Sequence, residues 1–302
     1  MTRARPVDRG SKRADSWTVA TGQGARWIAL DLDLRAPRTW FGPSWALLAG
    51  VLSSGQVRLD AQSLLLVALA WLLAEPFMGS LAALSVRIAA RRAALRISPA
   101  PVWHWSLPYM QPESPGRRAL DALAAWAARL SRDRQSLEGA VERWLLLGLV
   151  TLLLAVMVSA EVALLTVAAL AGLALLAAGR PLRANARKLL GAGHLFLSWL
   201  VGRGAFAAYD HRTLLVGLGY AVIWYAWTRR PPQAHLLVAA HVLLAGLFAA
   251  LYAPISAVGI LLLAVPLFVL WPESPSTERS YPKQTQVFLM ASLLLAAWGL
   301  VK

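Results

Sequence analysis

The sequence predicts an all-α fold, a polytopic bundle of nine transmembrane helices whose amino terminus is cytoplasmic. Of 302 residues, 58% are hydrophobic and only 15% are charged, a composition unlike that of a soluble enzyme. From Thr39 onward, apolar segments of membrane-spanning length, about 17 to 25 residues, follow one another. Basic residues lie on alternate loops between these segments, as they do where positive loops face the cytoplasm.

Residues 1–38 precede the first span and carry eight Arg or Lys residues without an apolar run of seven. They lack the hydrophobic region of a cleavable signal peptide, so we interpret them as a polar, partly disordered cytoplasmic arm. Residues 39–302 form the transmembrane domain. The predicted spans are 39–55, 63–86, 143–159, 161–179, 186–206, 212–228, 233–250, 253–271 and 284–301.

Two long apolar runs are each divided into two spans. Residues 231–272 carry no charge and are too long for one span. Tyr252-Ala253-Pro254 predicts a hairpin turn within them, because proline disfavours helix at the preceding residue and tyrosine suits the headgroup level. In the run from Trp144 to Gly179, Ser159-Ala160-Glu161 predicts the other division, because a lone carboxylate favours the membrane interface.

The basic residues test this span count independently. With nine spans, 26 of the thirty Lys and Arg residues fall on the amino-terminal side, and Arg58, Arg203, Arg212 and Lys302 fall on the other. This asymmetry predicts a cytoplasmic-membrane protein with its amino terminus inside and its carboxyl terminus outside. The net charge of +15 is then explained by topology and by attraction to anionic lipid, which argues against nucleic acid as a partner.

The loop 87–142 between the second and third spans contains a predicted amphipathic helix. Its apolar residues recur at helical spacing and are Leu120, Leu123, Ala127, Leu130, Leu137 and Val141. Such a basic helix is expected to lie on the inner leaflet, either as a brace or as a lid over a cavity that opens to the cytoplasm.

Nine spans with the amino terminus inside and a long cytoplasmic loop after the second span resemble the UbiA-type intramembrane prenyltransferase superfamily. Residues 35–40, Arg-Ala-Pro-Arg-Thr-Trp, resemble that family's opening. Residues 178–183, with Arg187 and Lys188 beyond them, resemble the basic stretch after its fourth span. The resemblance covers the architecture of nearly the whole chain from about residue 35 and implies an isoprenoid or lipid cavity.

Catalytic members of that superfamily carry two Asp-rich motifs that hold magnesium against a diphosphate, whose negative charges the metal neutralises. The corresponding positions here, residues 79–87 and 224–232, contain no acidic residue. The resemblance therefore implies a pseudoenzyme that binds an isoprenoid or lipid without Mg-dependent prenyl transfer. It implies no metal and no cofactor, and any remaining activity would be prenyltransferase-like.

Ionisable residues within spans are candidates for function, because charge is costly in a membrane. Glu75, just before Pro76, has two interpretations: a proton or cation site, or a hydrogen-bonded carboxyl at a helix contact. His194 and His241 could ligate a haem or chlorophyll between two helices, or make interhelical hydrogen bonds.

Other candidates face the cytoplasmic mouth or share a helix face. Tyr220 and Trp224 lie four residues apart and would line a hydrophobic tunnel or simply pack. The basic residues would bind a phosphate or lipid headgroup, or anchor the protein by the positive-inside rule. They are Arg183, Arg187, Lys188, Arg229 and Arg230.

A second hypothesis is a structural subunit of a larger membrane complex, energy-transducing or pigment-containing, with partner subunits packed against the intramembrane histidines and tryptophans. A transporter ranks third, because the nine spans show no repeat of halves.

Overall fold

The computed structural model of the protein describes residues 42–97, 115–178, 184–229, 231–272 and 274–301. A π-helical segment, Leu73–Met78, joins the second α-helix to the third, so the described residues form nine continuous helical segments. The α-helices are α1 Pro43–Ser53, α2 Ala61–Leu72, α3 Gly79–Ile97, α4 Pro115–Val158, α5 Ala160–Ala178, α6 Ala184–Gly204, α7 His211–Thr228, α8 Ala234–Ala250, α9 Pro254–Val269 and α10 Pro275–Gly299.

The predicted all-α fold is confirmed for the described residues, among which there is no β-strand. Each predicted span overlaps one helical segment of the described residues. By length and composition, Ala61–Ala94, Glu138–Val158 and Ala160–Ala178 are long and apolar enough to cross a membrane. α1, α8 and α9 are shorter apolar helices of 10–17 residues. The predicted arm, residues 1–38, lies outside the described residues.

The two predicted divisions of the long apolar runs are confirmed. α4 and α5 are separated by Ser159 alone. Between α8 and α9, Tyr252 adopts a left-handed conformation with φ of 56°. The N–H of Ala253 then donates to the carbonyl of Phe248 at 2.9 Å, which closes the end of α8 as a Schellman turn.

The predicted surface helix in loop 87–142 is not a separate element. α4 runs unbroken from Pro115 to Val158, which are 44 residues or about 66 Å, and so joins this helix to the third predicted span. α3 also continues as a helix to Ile97, beyond residue 86, where the second predicted span ends. No proline follows Pro115 in α4, and the charged residues near the expected boundary favour helix, so nothing ends the helix there. Residues 98–114 of the loop lie outside the described residues.

The larger apolar core lies among α1 and α6 to α10. From α6 to α10 each helix packs on the next, and both α6 and α10 pack against α1. The largest side chains buried in this core are Trp199, Trp227, Tyr220, Tyr281 and Phe248. α3, α4 and α5 pack on one another and meet this group through α6 and the π-helical segment.

α1 and α6 cross with their backbones in contact. A Cβ atom at Gly50 would overlap the carbonyl oxygen of Trp199, and a Cβ atom at Gly202 would overlap that of Leu47. Small residues permit such close approach between membrane helices. This contact fixes the position of α6, the helix that carries His194.

Candidate functional site

Glu75 meets the amino terminus of α1. It lies in the π-helical segment that accommodates Pro76, whose ring and missing N–H do not fit an α-helical turn. Its Oε1 accepts the backbone N–H of Ser44 at 2.6 Å and the Ser44 hydroxyl at 2.7 Å. Trp71 Nε1 donates to the same hydroxyl at 3.0 Å.

Glu75 thereby replaces a missing helix cap. The N-cap residue of α1 is Gly42, which offers no side chain to the free N–H groups of the first turn. A carboxylate at this position satisfies one of these groups and interacts favourably with the helix dipole. Of the two interpretations that the sequence allows, this geometry is that of a hydrogen-bonded carboxyl at a helix contact.

His194, which lies in α6, makes a hydrogen bond to the same π-helical segment. Its Nε2 lies 2.7 Å from the carbonyl oxygen of Ala74. A carbonyl oxygen only accepts, so Nε2 carries the hydrogen and Nδ1 of the neutral ring is left as an acceptor. The ring is half-buried.

A cleft of about 370 Å³ lies beside His194, between α3, α5 and α6. Among the described residues that line it, His194 carries the one polar side chain. The apolar lining includes Met78, Leu165, Leu173, Leu190, Phe196 and Leu197. An unpartnered apolar space of this size suits a hydrocarbon chain better than water.

Two glycines keep the cleft open. A Cβ atom at Gly172 of α5 or at Gly193 of α6 would meet no atom within 4 Å, and both residues line the cleft. On the outside of α5, Leu164 is 73% exposed and Leu175 is 75% exposed, so the cleft borders an apolar surface. These glycines carry no distinguishing signal in the sequence, because other glycines in apolar spans serve close helix contact instead.

Tyr220 and Trp224 do not line this cleft. Tyr220 is fully buried in the larger core, and its hydroxyl shares a 2.7 Å hydrogen bond with Ser292 of α10. The ring of Trp224 packs over Gly191, where a Cβ atom would lie 2.7 Å from its Cζ3. Trp224 Nε1 is buried without a hydrogen-bond partner in the described part of the chain. The geometry of this pair is that of packing.

His241 and His194 contact different elements. His241 is 1% exposed, and its Nδ1 donates to the carbonyl of Leu237 at 2.7 Å within α8. Its Nε2 is buried and has no partner among the described residues. His194 instead contacts the π-helical segment. In each histidine, one ring nitrogen is hydrogen-bonded to a backbone carbonyl oxygen.

Three of the five basic candidates lie in the described ranges. Arg187 and Lys188 lie in the first turns of α6, and Lys188 is half-buried. Arg229 follows α7, and its guanidinium carbon lies 5.4 Å from the ring centre of Tyr225, within cation–π range. Arg183 and Arg230 lie outside the described residues.

Arg203 joins three elements at the opposite end of α6. Its guanidinium donates to the carbonyl of Ser53, at the end of α1, and lies 3.8 Å from the carboxylate of Asp210. Asp210 also caps α7 by accepting the N–H of Thr213 at 2.7 Å. Burial raises the pKa of Asp210, but hydrogen bonding with Thr213 and the charge of Arg203 outweigh that effect and hold the pKa below its ordinary value.

The magnesium site of the UbiA-type superfamily has no counterpart in the described ranges. They contain no group of three or more His, Cys, Asp or Glu side chains placed to hold a metal ion. The segments that the sequence resemblance assigns to the two Asp-rich motifs, residues 79–87 and 224–232, contain no carboxylate. The residues present therefore do not fit carboxylate-held magnesium.

Comparisons of the chain with protein-family models, with curated proteins and with solved structures find no match.

Proposed function

We propose that the protein spans the membrane nine times and holds the apolar chain of an isoprenoid or other lipid in the cleft between α3, α5 and α6. The cleft itself carries this proposal, because its lining is apolar and Gly172 and Gly193 leave its volume free. A cavity of about 150 Å³ accommodates benzene, so about 370 Å³ has room for about fifteen carbon atoms.

The membrane assignment is supported by surface chemistry as well as by helix length. In the best spanning windows of α4 and α5, only 22% and 17% of the residues are buried inside the protein. Large apolar side chains therefore cover the outer surface of both helices, which is stable only against lipid or another apolar surface. The alternation of basic loops supports an orientation with the amino terminus inside and the carboxyl terminus outside.

The proposal places the protein beside the UbiA-type prenyltransferases in architecture and apart from them in chemistry. The support for the first part is the span count and the long segment between the second and third spans. The support for the second is the absence of carboxylates at both motif positions, since a diphosphate leaving group would lack its metal clamp. Prenyl transfer by the purified protein, supplied with Mg²⁺ and a prenyl diphosphate, would overturn this second part.

Filling the cleft tests the lipid site directly. Gly193→Leu places a branched side chain into the open space, and Gly246→Leu is the matched control. Gly246 also lies in an apolar helix, has no atom within 4 Å of a Cβ position, and is outside the cleft lining. Each protein would be purified in mild detergent, and its extracted lipids would be quantified by mass spectrometry.

We expect a stoichiometric isoprenoid or acyl lipid with the wild type and with Gly246→Leu, and its loss from Gly193→Leu. Equal retention by all three proteins would refute binding in this cleft. If a tetrapyrrole or further membrane subunits co-purified in place of the lipid, the structural-subunit hypothesis would replace the proposal.

A further inference from the structure

His194 is the feature of the cleft that can distinguish one lipid from another. Among the described residues lining the cleft, every other side chain is apolar and none carries a charge. A hydrocarbon wall contributes little selectivity between head groups, whereas a site with one polar side chain among apolar ones discriminates by hydrogen bonding. The chemistry of His194 therefore determines which polar group the cleft accepts.

The hydrogen-bonding role of His194 follows from its contact with the π-helical segment. Because Nε2 donates to the carbonyl of Ala74 at 2.7 Å, the neutral ring is in the tautomer that leaves an acceptor at Nδ1. Among the described residues, the hydrogen-bond partner of the His194 ring is the carbonyl of Ala74. His194 lines the cleft, and Nδ1 is the atom of its neutral ring that is left to accept a hydrogen bond from an occupant.

We infer that the cleft selects a lipid whose head group donates a hydrogen bond, namely a long-chain or isoprenoid alcohol, over the corresponding ether or hydrocarbon. This inference rests on the proposed lipid site and specifies its ligand. An anionic head group finds no cationic side chain in the described lining. An ether oxygen has no hydrogen to donate to Nδ1, so it would leave the acceptor unpaired.

The test uses the full-length protein in phosphatidylcholine nanodiscs. A fifteen-carbon alcohol with a mid-chain diazirine serves as the photoreactive probe, sized to the roughly fifteen carbons of the cleft. Unlabelled pentadecanol and its methyl ether compete for labelling, and the labelled peptides are mapped by mass spectrometry. The readout is the ratio of the two half-inhibitory concentrations in the wild type, divided by the same ratio in His194→Leu. This quotient cancels the different partitioning of alcohol and ether into lipid.

Relative to the ether, we expect the alcohol to compete about fivefold better in the wild type than in His194→Leu. A factor of this size is what one neutral hydrogen bond contributes. His194→Gln, which can donate to the Ala74 carbonyl and present an amide oxygen, should retain part of the advantage. If His194→Leu does not fold, ¹⁵N-histidine spectra of the wild type, assigned with His194→Gln, give a second measurement. The Nδ1 signal of His194 should then shift with pentadecanol and not with its methyl ether.

The outcomes separate this inference from the proposed function. Labelling of α3, α5 and α6 peptides, with the same alcohol-to-ether ratio of half-inhibitory concentrations in the wild type and in His194→Leu, would overturn the head-group selection and leave the lipid site standing. Absence of labelling in these helices would overturn both.

Discussion

The crossing of α1 and α6 can be tested by adding one methyl group. In Gly50→Ala, the new Cβ would overlap the carbonyl oxygen of Trp199, lie 3.0 Å from its carbonyl carbon and lie 3.1 Å from the backbone nitrogen of Arg203. Backbone atoms cannot rotate out of the way as the end of a side chain can. The two helices must therefore move apart.

The size of the effect follows from that separation. A gap of roughly 1 Å forfeits about a quarter to a half of each facing dispersion contact, and overpacking an interior costs about 1 to 3 kcal/mol. We expect about 3 kcal/mol for Gly50→Ala, the upper end of the range, because the obstacle is backbone. Gly202→Ala should reach the same range through the reciprocal contact with Leu47. The double variant should lose less than the sum, because the first separation makes room for the second methyl group.

The measurement is the free energy of unfolding in mixed micelles, from a titration with denaturing detergent followed by tryptophan fluorescence. Gly246→Ala is the control, because its Cβ would meet no atom within 4 Å. Its stability should stay unchanged or rise by at most about 1 kcal/mol through helix propensity. If Gly50→Ala and Gly202→Ala unfold like this control, the backbone contact does not hold α1 against α6.

Three further predictions use the same titration. Glu75→Ala removes the cap of α1 and should lower the free energy of unfolding by about 2 to 3 kcal/mol. Glu75→Gln keeps an acceptor for Ser44 and should lower it less. Unchanged stability of Glu75→Ala would contradict the capping role. The pKa of Asp210 lies below its ordinary value of 3.8, so its contribution is present above that pH and is lost as the pH falls through the lowered pKa. The stability difference between Asp210→Asn and the wild type should therefore narrow on acidification, and a difference that does not change with pH would refute the ion-pair argument. Tyr252→Gly should stabilise the protein by about 1 kcal/mol. Tyr252 is 93% exposed and has a left-handed backbone conformation, which glycine adopts without strain. A loss of stability would show that the tyrosine side chain anchors the turn.

The helical divisions were predictable because their signals are local. Proline at 254 restricts the backbone of the residue before it, and the lone carboxylate of Glu161 favours the membrane interface, so both divisions could be located without knowledge of packing. The ends of the helices that contain the second and third predicted spans were not predictable in the same way. Hydropathy falls there, but helix propensity does not, and α3 and α4 continue as helices.

The candidate site shows the same distinction between local and distant signals. Glu75 and His194 could be singled out from the sequence because an ionisable residue inside an apolar span is energetically costly, and such residues are therefore rare. Their partners could not, because Ser44 lies 31 residues from Glu75, and Ala74 lies 120 residues from His194. Only the packing of α1 and α6 against the π-helical segment brings these groups within hydrogen-bonding distance.

The sequence by itself determined the all-α class, the nine helical segments of the described residues and the two divisions of the long apolar runs, since composition, periodicity and turn residues act over a few neighbours. The tertiary structure decided what each glycine does: Gly50 and Gly202 bring two backbones together, whereas Gly172 and Gly193 leave a cleft open. The physical reason is that the glycine itself does not determine how the space beside it is used. Whether it becomes a contact or a cavity depends on how closely the facing helix approaches, and that distance is determined by all the other side chains packed between the helices.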